Sequence, residues 1–151
     1  MLRVLVDADA CPLKDEVYSV AARYLVPVTL VANAPLHVPA RLAVEMVVVA
    51  GGLDAADDWI AGHVRAGDVV VTADIPLAAR CLGAGARVLG TNGRPFTEDS
   101  IGSALATRDL KSQLREAGIP SRGPRPGSAK DRSRFLSQLD RLIQLGLRDR
   151  P

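Results

Sequence analysis

Acidic residues follow two of the short apolar runs in the chain. Asp7 follows the run 2–6 directly and Asp9 comes two residues later, whereas Asp74 comes two residues after the run 69–72. Runs this short and this apolar predict strands that are buried on both faces of a parallel sheet. Ligands of such sheets bind outside the carboxyl ends of the strands. Carboxylates gathered there repel one another unless protons or a cation neutralise them, so the sequence predicts a divalent metal site.

A second acidic group, Asp54, Asp57 and Asp58, precedes a helical pattern. At helical spacing, Asp54 can share a face with Asp57 or with Asp58. Acidic side chains in a first turn also stabilise a helix through its dipole, without any further role. Helix N-capping is the corresponding alternative for Asp9 and Asp74. The group is therefore a candidate for metal binding as well as for capping.

The candidate ligands are hard oxygen donors, which favour Mg²⁺ or Mn²⁺ as the cofactor. Such an ion polarises a phosphoryl oxygen and activates a bound water. His37 and His63 lack the spacing of zinc ligands, and Cys11 has no histidine close in sequence to activate it. If the acids converge, crowding is expected to raise at least one pKa in the metal-free protein. The assigned roles are catalysis and metal binding for Asp7, Asp9, Asp57 and Asp74, and metal binding for Asp54 and Asp58.

The net charge of +2 hides an uneven distribution along the chain. Residues 51–74 carry five Asp and one Arg, whereas residues 121–151 carry eight Lys or Arg and three Asp. A basic segment beside an acidic metal site suits a polyanion such as nucleic acid. The alternative is a solvated surface held by ion pairs such as Asp131–Arg134. We predict that the segment 122–134 faces the acidic cleft and binds phosphate. The predicted substrate ligands carry guanidinium, ammonium or hydroxyl groups: Thr72, Arg94, Thr97, Ser128, Lys130 and Arg132.

Five apolar runs predict strands, at 2–6, 28–32, 46–50, 69–72 and 87–90. Helical patterns separate most of them, and this alternation predicts an α/β fold with a mostly parallel sheet between two layers of helices. Thr97 is predicted to cap a helix that ends near Ala117. A last helix carries apolar residues at helical spacing from Phe135 onward.

The chain is interpreted as one domain of residues 1–151, with a core of about 1–91 and a helical C-terminal extension of about 92–151. Its 48% of hydrophobic residues predicts a substantial core. No apolar run approaches the ~20 residues of a membrane span, and the N-terminus leads directly into a strand without a signal-peptide pattern. Cys11 and Cys81 are interpreted as free thiols in a reducing cytoplasm. We expect a cytoplasmic protein without membrane association, and the oligomeric state stays open.

Five segments together resemble a known family: VDADACP (6–12), DAAD (54–57), VTADIPLA (71–78), NGRPFT (92–97) and AKDRSRF (129–135). They look like the blocks of the YaiI/YqxD family, a group of uncharacterised bacterial proteins with a PIN-like domain. The blocks stand in the expected order and cover nearly the whole chain. The resemblance implies a three-layer α/β/α PIN-like domain with a helical C-terminal extension.

PIN-like domains are similar to the FEN-type nucleases, so the resemblance also implies cleavage of RNA or DNA with Mg²⁺ or Mn²⁺. It assigns the acids as Asp7 with Asp9 on the first strand, Asp57 (or Asp54 or Asp58) on a helix, and Asp74 on a later strand. PIN nucleases usually place another acid in the middle of the chain. Glu45, which precedes a predicted strand, is the only candidate for it in this sequence.

The predicted function is a divalent-metal-dependent nuclease that acts on RNA or DNA, with RNA favoured as the partner. One alternative is a non-catalytic nucleic-acid-binding module with a degenerate metal site, because a preserved fold does not guarantee preserved chemistry. Another is a haloacid-dehalogenase-like phosphatase with Asp7 as nucleophile and Asp9 as acid. That class places a Lys before its final acids, and no Lys stands between Lys14 and Lys111.

Overall fold

The computed structural model describes residues 2–39, 43–52, 54–116 and 129–149. Its strands and helices largely alternate along the chain, as the apolar runs predict. The strands are β1 (Val4–Asp7), β2 (Val28–Ala32), β3 (Val44–Val48), β4 (Val69–Val71), β5 (Arg87–Leu89) and β6 (Pro95–Phe96). The helices are α1 (Lys14–Arg23), α2 (Ala55–His63), α3 (Ile75–Gly83), α4 (Glu98–Glu116) and α5 (Ala129–Arg148).

The strands form one sheet in the order β3-β2-β1-β4-β5-β6. The first five in this order are parallel, and β6 pairs with β5 in the antiparallel direction. β1 lies between β2 and β4, with Val6 opposite both Leu30 and Val71. The parallel strands therefore all end at one side of the sheet, which we call the carboxyl edge. Its strand-end residues are Asp7, Ala32, Val48, Val71 and Leu89.

The α/β class and the mostly parallel sheet are confirmed, but two details of the prediction were wrong. β3 begins two residues earlier than predicted, because the apolar stretch that contains it has no internal signal for where pairing starts. Glu45 consequently lies within β3, opposite Thr29, and does not precede the strand. At ~3.3 Å per residue it stands about 10 Å from the end of β3, away from the acids of the carboxyl edge. The two-residue strand β6 was not predicted, since it is too short to show a pattern.

One face of the sheet packs against α1 and α5. Successive strand residues point to opposite faces, so Val4 and Val6 enter this layer while Leu5 enters the other. The fully buried side chains of this core include Val4, Val6, Val17, Leu30, Phe135 and Leu139. Burying each large one contributes about 1.5–3 kcal/mol. The apolar spacing from Phe135 onward thus predicts correctly which face of α5 is buried.

The other face packs against α2 and α3, and α4 lies beside α3. Its buried side chains include Leu5, Val70, Ile60, Leu77 and Ala78. Ile101 of α4 is partly buried against this second core. Helices therefore cover both faces, and the three-layer architecture is confirmed.

α5 runs in the same direction as α1. Near the starts of the two helices, Arg132 pairs with Glu16 at 2.8 Å. Farther along, the Asp140 carboxylate accepts hydrogen bonds from the Arg23 guanidinium at 2.5 Å and from the Tyr24 hydroxyl at 2.7 Å. Because α1 follows β1 closely after its carboxyl end, the start of α5 also lies at the carboxyl edge.

Thr97 caps α4, as predicted. Its hydroxyl accepts a hydrogen bond from the Ser100 backbone N–H at 3.0 Å, and the Ser100 hydroxyl accepts one from the Thr97 N–H at 2.8 Å. The predicted end near Ala117 and the predicted irregular segment 119–128 lie outside the described residues. Within the part of the chain that is described, no helix is both long enough and apolar enough to cross a membrane.

Candidate functional site

Asp7 is the last residue of β1 and stands at the centre of the carboxyl edge. It is buried, with 8% of its surface exposed. The Thr72 hydroxyl donates a hydrogen bond to Oδ2 of Asp7 at 3.0 Å. Burial raises the pKa of Asp7, the Thr72 hydrogen bond opposes this, and the negative charges of Asp74 and Asp9 add to it. The structure thus buries a carboxylate where the parallel strands end.

Asp74 follows the neighbouring strand β4 and begins α3. Its Oδ1 accepts a hydrogen bond from the Leu77 backbone N–H at 2.8 Å, which is the N-cap that the sequence offered as an alternative role. Its own backbone N–H donates to the Thr72 hydroxyl at 3.0 Å. A capping carboxylate keeps a second oxygen, so this contact leaves Asp74 able to take a further ligand.

Asp57 reaches the same place from the first turn of α2. Burial raises its pKa most, and the negative charges of Asp74, Asp7 and Asp54 add to the effect. The protonated Asp57 carboxyl also shares a hydrogen bond with Asp74, which raises the pKa further, to about 6. The charge of Asp74 therefore lies close enough to raise the pKa of both Asp7 and Asp57, as expected for converging carboxylates.

Asp9 lies beside this group but is held differently. A 3₁₀ turn over Ala8–Ala10 follows β1, so Asp9 stands in this turn and not in an extension of the strand. Its Oδ2 accepts a hydrogen bond from the Asn33 backbone N–H at 2.8 Å. Asn33 follows β2. It contacts Asp9 through its backbone N–H, so the residue type at position 33 does not predict the contact. Asp9 is exposed and contributes to the raised pKa of Asp7.

Asp54 and Asp58 lie on the outer side of the acidic group. Asp54 precedes α2 without a side-chain capping bond and contributes to the raised pKa of Asp57. Asp58 is exposed and pairs with Arg80 at 3.0 Å. Both line an open depression with Trp59, whose indole stacks on the His63 ring with centroids 3.9 Å apart. Asp58 therefore forms an ion pair with an arginine on the surface, whereas the negative charge of Asp54 raises the pKa of Asp57.

The predicted substrate ligands occupy different surroundings. Arg94 is exposed in the turn after β5, and Lys130 is exposed in the first turn of α5. Arg132 pairs with Glu16 of α1, and Thr97 is engaged as a helix cap. Thr72 is fully buried, with 0% exposed surface, and Ser128 lies outside the described residues. Arg94, Lys130 and Arg132 are thus all exposed, and Arg132 differs from the other two in its ion pair with Glu16.

The turn after β5 is fastened to the start of α5. The Arg134 guanidinium donates to the Asn92 carbonyl at 3.1 Å and pairs with Asp131 at 3.3 Å, the ion pair that was the alternative prediction for this segment. Gly93 has φ of +82°, and a Cβ there would lie 2.5 Å from the Phe135 backbone nitrogen. This close approach fixes Arg94 and the first turn of α5 on the same side of the molecule.

The donor chemistry of the acidic group fits a hard divalent cation. Asp7, Asp57 and Asp74 supply carboxylate oxygens, the ligands that Mg²⁺ prefers, and their crowding favours a positive charge among them. Within the described residues, however, no group of three His, Cys, Asp or Glu is arranged as a ready metal cage. Mg²⁺ commonly binds through one or two carboxylates and completes its shell with water, so the residues present fit an open site.

The fold and the site define the class: a three-layer α/β/α protein that gathers acids at the carboxyl edge of its sheet. The sequence model of a protein family described as "Uncharacterized BCR, YaiI/YqxD family" matches residues 5–145. The chain belongs to this family.

Curated relatives show the same membership. A UPF0178 protein of Rhodopseudomonas palustris is 56% identical over 144 residues, which cover 95% of this chain and 91% of the relative. A UPF0178 protein of Rhodospirillum centenum is 55% identical and covers 99% of this chain and 100% of its own length. A third, from Brucella ovis, is 57% identical over 93% of this chain and 88% of its own. No solved structure matches the chain.

Proposed function

We propose that the protein is a divalent-metal-dependent nuclease that hydrolyses a phosphodiester of RNA or DNA at the carboxyl edge. The observation that carries the proposal is the meeting of Asp7, Asp57 and Asp74, which come from β1, α2 and the turn between β4 and α3. Acids from three segments, one of them with a pKa of about 6, form a costly arrangement unless it serves a ligand. Mg²⁺ or Mn²⁺ is the proposed cofactor.

Asp7 and Asp74 are proposed to hold the cation, because hydrogen bonds already fix both carboxylates. When bound, a divalent cation supplies a positive charge to the phosphate and lowers the pKa of water beside it. Asp57 is the proposed proton acceptor, since a pKa near the working pH suits a general base. Water oxygen bonds to phosphorus, its proton passes to a carboxylate, and the sugar oxygen leaves with a proton from solvent. Asp9 and Asp54 add negative charge that favours the cation.

Arg94 and Lys130 are proposed to hold the phosphates on either side of the reacting one. Both are exposed, and both belong to segments that lie at the carboxyl edge. Guanidinium and ammonium groups are the usual phosphate ligands of nucleic-acid-binding proteins. The two cysteines of the chain are buried free thiols, which suits a reducing compartment and the cytoplasmic location we propose.

One observation favours a second candidate, a nucleic-acid-binding module without catalysis. The acids hydrogen-bond one another and the backbone, and no three of the described candidate ligands form a ready metal cage. In this alternative the exposed cations bind nucleic acid while the acids merely stabilise the turns after β1 and β4. The two candidates share a partner and differ in chemistry.

Hydrolysis assays separate these candidates. Labelled single-stranded RNA and DNA are incubated with the protein in Mn²⁺, in Mg²⁺ and in EDTA, alongside Asp7→Asn and the control Asp58→Asn. The nuclease is expected to cut at least one substrate with metal only. Asp7→Asn is expected to lose at least about 10- to 100-fold, the usual loss when even an outer-shell partner of a metal ligand is removed, while Asp58→Asn keeps its rate. Binding without cutting indicates the non-catalytic module. Phosphate release from small esters without nucleic-acid cleavage indicates a phosphatase.

A further inference from the structure

We propose that the free side of β3, the side that faces away from β2, pairs with β3 of a second copy of this chain. Among the described strands, β3 has a neighbour on one side only. The strand at the other end of the sheet, β6, has two residues and begins with Pro95, which has no N–H to donate. Short strands that contain proline discourage pairing with another chain. β3 has five residues and only one charge, that of Glu45, so it keeps a surface suited to pairing.

The hydrogen bonds beside β3 show which of its backbone groups face outward. The Ala43 carbonyl accepts a hydrogen bond from the Val28 N–H at 2.9 Å, and the Val49 N–H donates to the Ala32 carbonyl at 2.9 Å. The N–H and C=O of one residue lie on the same side of a strand, and successive residues alternate between the two sides. The odd-numbered residues of β3 therefore face β2. The residues that turn their N–H and C=O groups to the free side are Val44, Met46 and Val48.

These outward groups favour an antiparallel pair in which Met46 lies opposite Met46 of the second copy. Opposite residues of an antiparallel pair either exchange two hydrogen bonds or exchange none, in alternation. Centred on Met46, the pair also brings Val44 opposite the second copy's Val48, so all the outward groups of β3 are bonded. A register centred on Glu45 places two like charges directly opposite each other, which is destabilising. A register centred on Val47 runs past the end of the strand.

Leu25, which follows α1, has a conformation that leucine rarely adopts. Its φ is +54°, and 88% of its surface is exposed. The Leu25 N–H donates to the Ala22 carbonyl at 3.2 Å, and the Val26 N–H donates to the Ala21 carbonyl at 3.0 Å. This helix ending usually has glycine in the left-handed position. A large apolar side chain that is both strained and exposed contributes little to the fold of one copy, and it indicates a contact with another molecule.

The proposed pairing covers the two large hydrophobic side chains that are exposed among the described residues, Leu25 and Val48. Leu25 and Val44 line an apolar depression of about 160 Å³ at the end of α1, beside the start of β3. Val48 lies at the other end of β3 and points to the same face of the sheet as Val44, because side chains alternate along a strand. An antiparallel pair of identical strands has its two-fold axis perpendicular to the sheet, so the α1 layers of both copies lie on one face.

Val48 of the second copy consequently lies over the depression of the first, beside Leu25. A space of this size admits a small apolar group. The two-fold symmetry repeats the contact at the other end of the paired strands. The surface is therefore complementary to itself in its hydrogen bonds and in its apolar side chains, which is why a second copy is the proposed partner.

Sedimentation of the protein over a range of concentrations tests the proposal, and wild type is expected to form dimers. Leu25→Gly removes the exposed side chain at a φ that glycine adopts freely, so the variant is expected to fold. Val48→Lys places a charge over the depression. Each change is expected to raise the dissociation constant of the dimer at least about 10-fold, as the loss of an important interface residue does. Ser137→Lys adds the same charge at an exposed position of α5 and is expected to leave the dissociation constant unchanged.

Cysteine cross-linking tests the register. In the pair centred on Met46, Glu45 lies opposite the second copy's Val47 as a pair without hydrogen bonds, with Cα atoms about 4.5 Å apart, which a disulfide can span. A mild oxidant is expected to convert the double variant Glu45→Cys/Val47→Cys into a covalent dimer. Glu45→Cys alone is expected to stay free of cross-links, because the two copies of position 45 are then diagonal neighbours about 7–8 Å apart.

The outcomes that overturn the proposal are distinct. Wild-type protein that stays monomeric at every concentration overturns it. A dimer that keeps its dissociation constant in folded Leu25→Gly or folded Val48→Lys is formed by another surface and also overturns it. If circular dichroism shows that Val48→Lys does not fold, Leu25→Gly decides alone. A covalent dimer of Glu45→Cys alone contradicts the register centred on Met46. None of these results bears on the proposed nuclease activity.

Discussion

Among the described carboxyl groups, the side chain of Asp57 shows the clearest rise in pKa. Its pKa is raised from 3.8 to about 6 by burial first and by the charges of Asp74, Asp7 and Asp54 next. Between these two pH values the folded protein therefore binds more protons at this group than the unfolded chain does. Stability consequently falls as the pH rises from about 4 to about 6, and the penalty is fully present above pH 6.

Replacing Asp57 with Asn is expected to stabilise the metal-free protein above pH 6. The amide removes the charge and can still donate to Asp74. The full shift corresponds to about 3 kcal/mol, but partial exposure screens it, so we expect a gain on the order of 1 kcal/mol at pH 7.5. Urea unfolding in EDTA at pH 4 and pH 7.5 measures this. The gain should vanish at pH 4, where wild-type Asp57 is protonated.

Asp58→Asn is the matched control for this prediction, because Asp58 lies next in the same helix turn but is exposed and paired with Arg80. It is expected to change the free energy of unfolding by less than about 0.5 kcal/mol at either pH. An Asp57→Asn protein less stable than wild type at pH 7.5 contradicts the account of Asp57.

The strands and helices show which parts of the fold are readable from the sequence. Four strands were predicted close to their actual limits, because buried parallel strands are short apolar runs bounded by turn residues. The edge strand β3 was displaced because its alternation is weak and a slip of two residues keeps the same faces buried. β6 depends on pairing with β5 and leaves no local signal.

The sequence predicts those parts of the site that depend on where the strands end. Asp7 and Asp74 were expected at the carboxyl edge from their positions after apolar runs, and the structure places them there. The meeting of Asp57 with them depends on how α2 packs, which spacing along the chain does not determine. The contact of Asp9 with the Asn33 backbone depends on the 3₁₀ turn after β1. Whether these acids bind metal stays a prediction.

The turn after β5 supports a prediction about packing. Gly93 combines φ of +82° with a position where a Cβ would meet the backbone of α5 at 2.5 Å. Gly67 has a similar φ of +90°, but nothing lies within 4 Å of its Cβ position. Gly67→Ala should cost only the left-handed strain, about 1–2 kcal/mol. Gly93→Ala should cost at least about 1 kcal/mol more, because overpacking displaces the start of α5.

Urea unfolding of both variants measures the difference in their free energies of unfolding, with the same linear dependence on urea concentration used for the two extrapolations. Equal stabilities of Gly93→Ala and Gly67→Ala contradict the tight docking of this turn on α5.

At the scale of the whole molecule, α5 runs from the carboxyl edge of the sheet to the opposite side, where the parallel strands begin. Its first turn stands at the carboxyl edge with Lys130 exposed, and its last turn carries the exposed Arg148 at the opposite edge, where Arg87 pairs with Asp149. Lys130 and Arg148 lie on one helix and are both exposed, but they differ in their distance from the acidic group. This arrangement lets one helix supply both a test residue and its control.

Replacing Lys130 or Arg94 with Ala is expected to weaken binding of single-stranded nucleic acid. Each lost phosphate contact should reduce the slope of log K against log salt by about 0.7. Arg148→Ala should change neither affinity nor slope beyond error. Fluorescence anisotropy with labelled RNA in EDTA, from about 50 to 200 mM salt, measures these effects apart from cleavage. Equal effects of Lys130→Ala and Arg148→Ala contradict a binding surface at the carboxyl edge.

The most direct test of the central claim is anomalous diffraction from crystals grown with Mn²⁺. The account predicts an Mn²⁺ peak at the carboxyl edge, at a ligand distance of about 2.1 Å from carboxylate oxygens of Asp7 and Asp74. Crystals of the Asp7→Asn variant, grown in the same way, should lack it. Wild-type crystals with saturating Mn²⁺ and no peak among these acids contradict the claim.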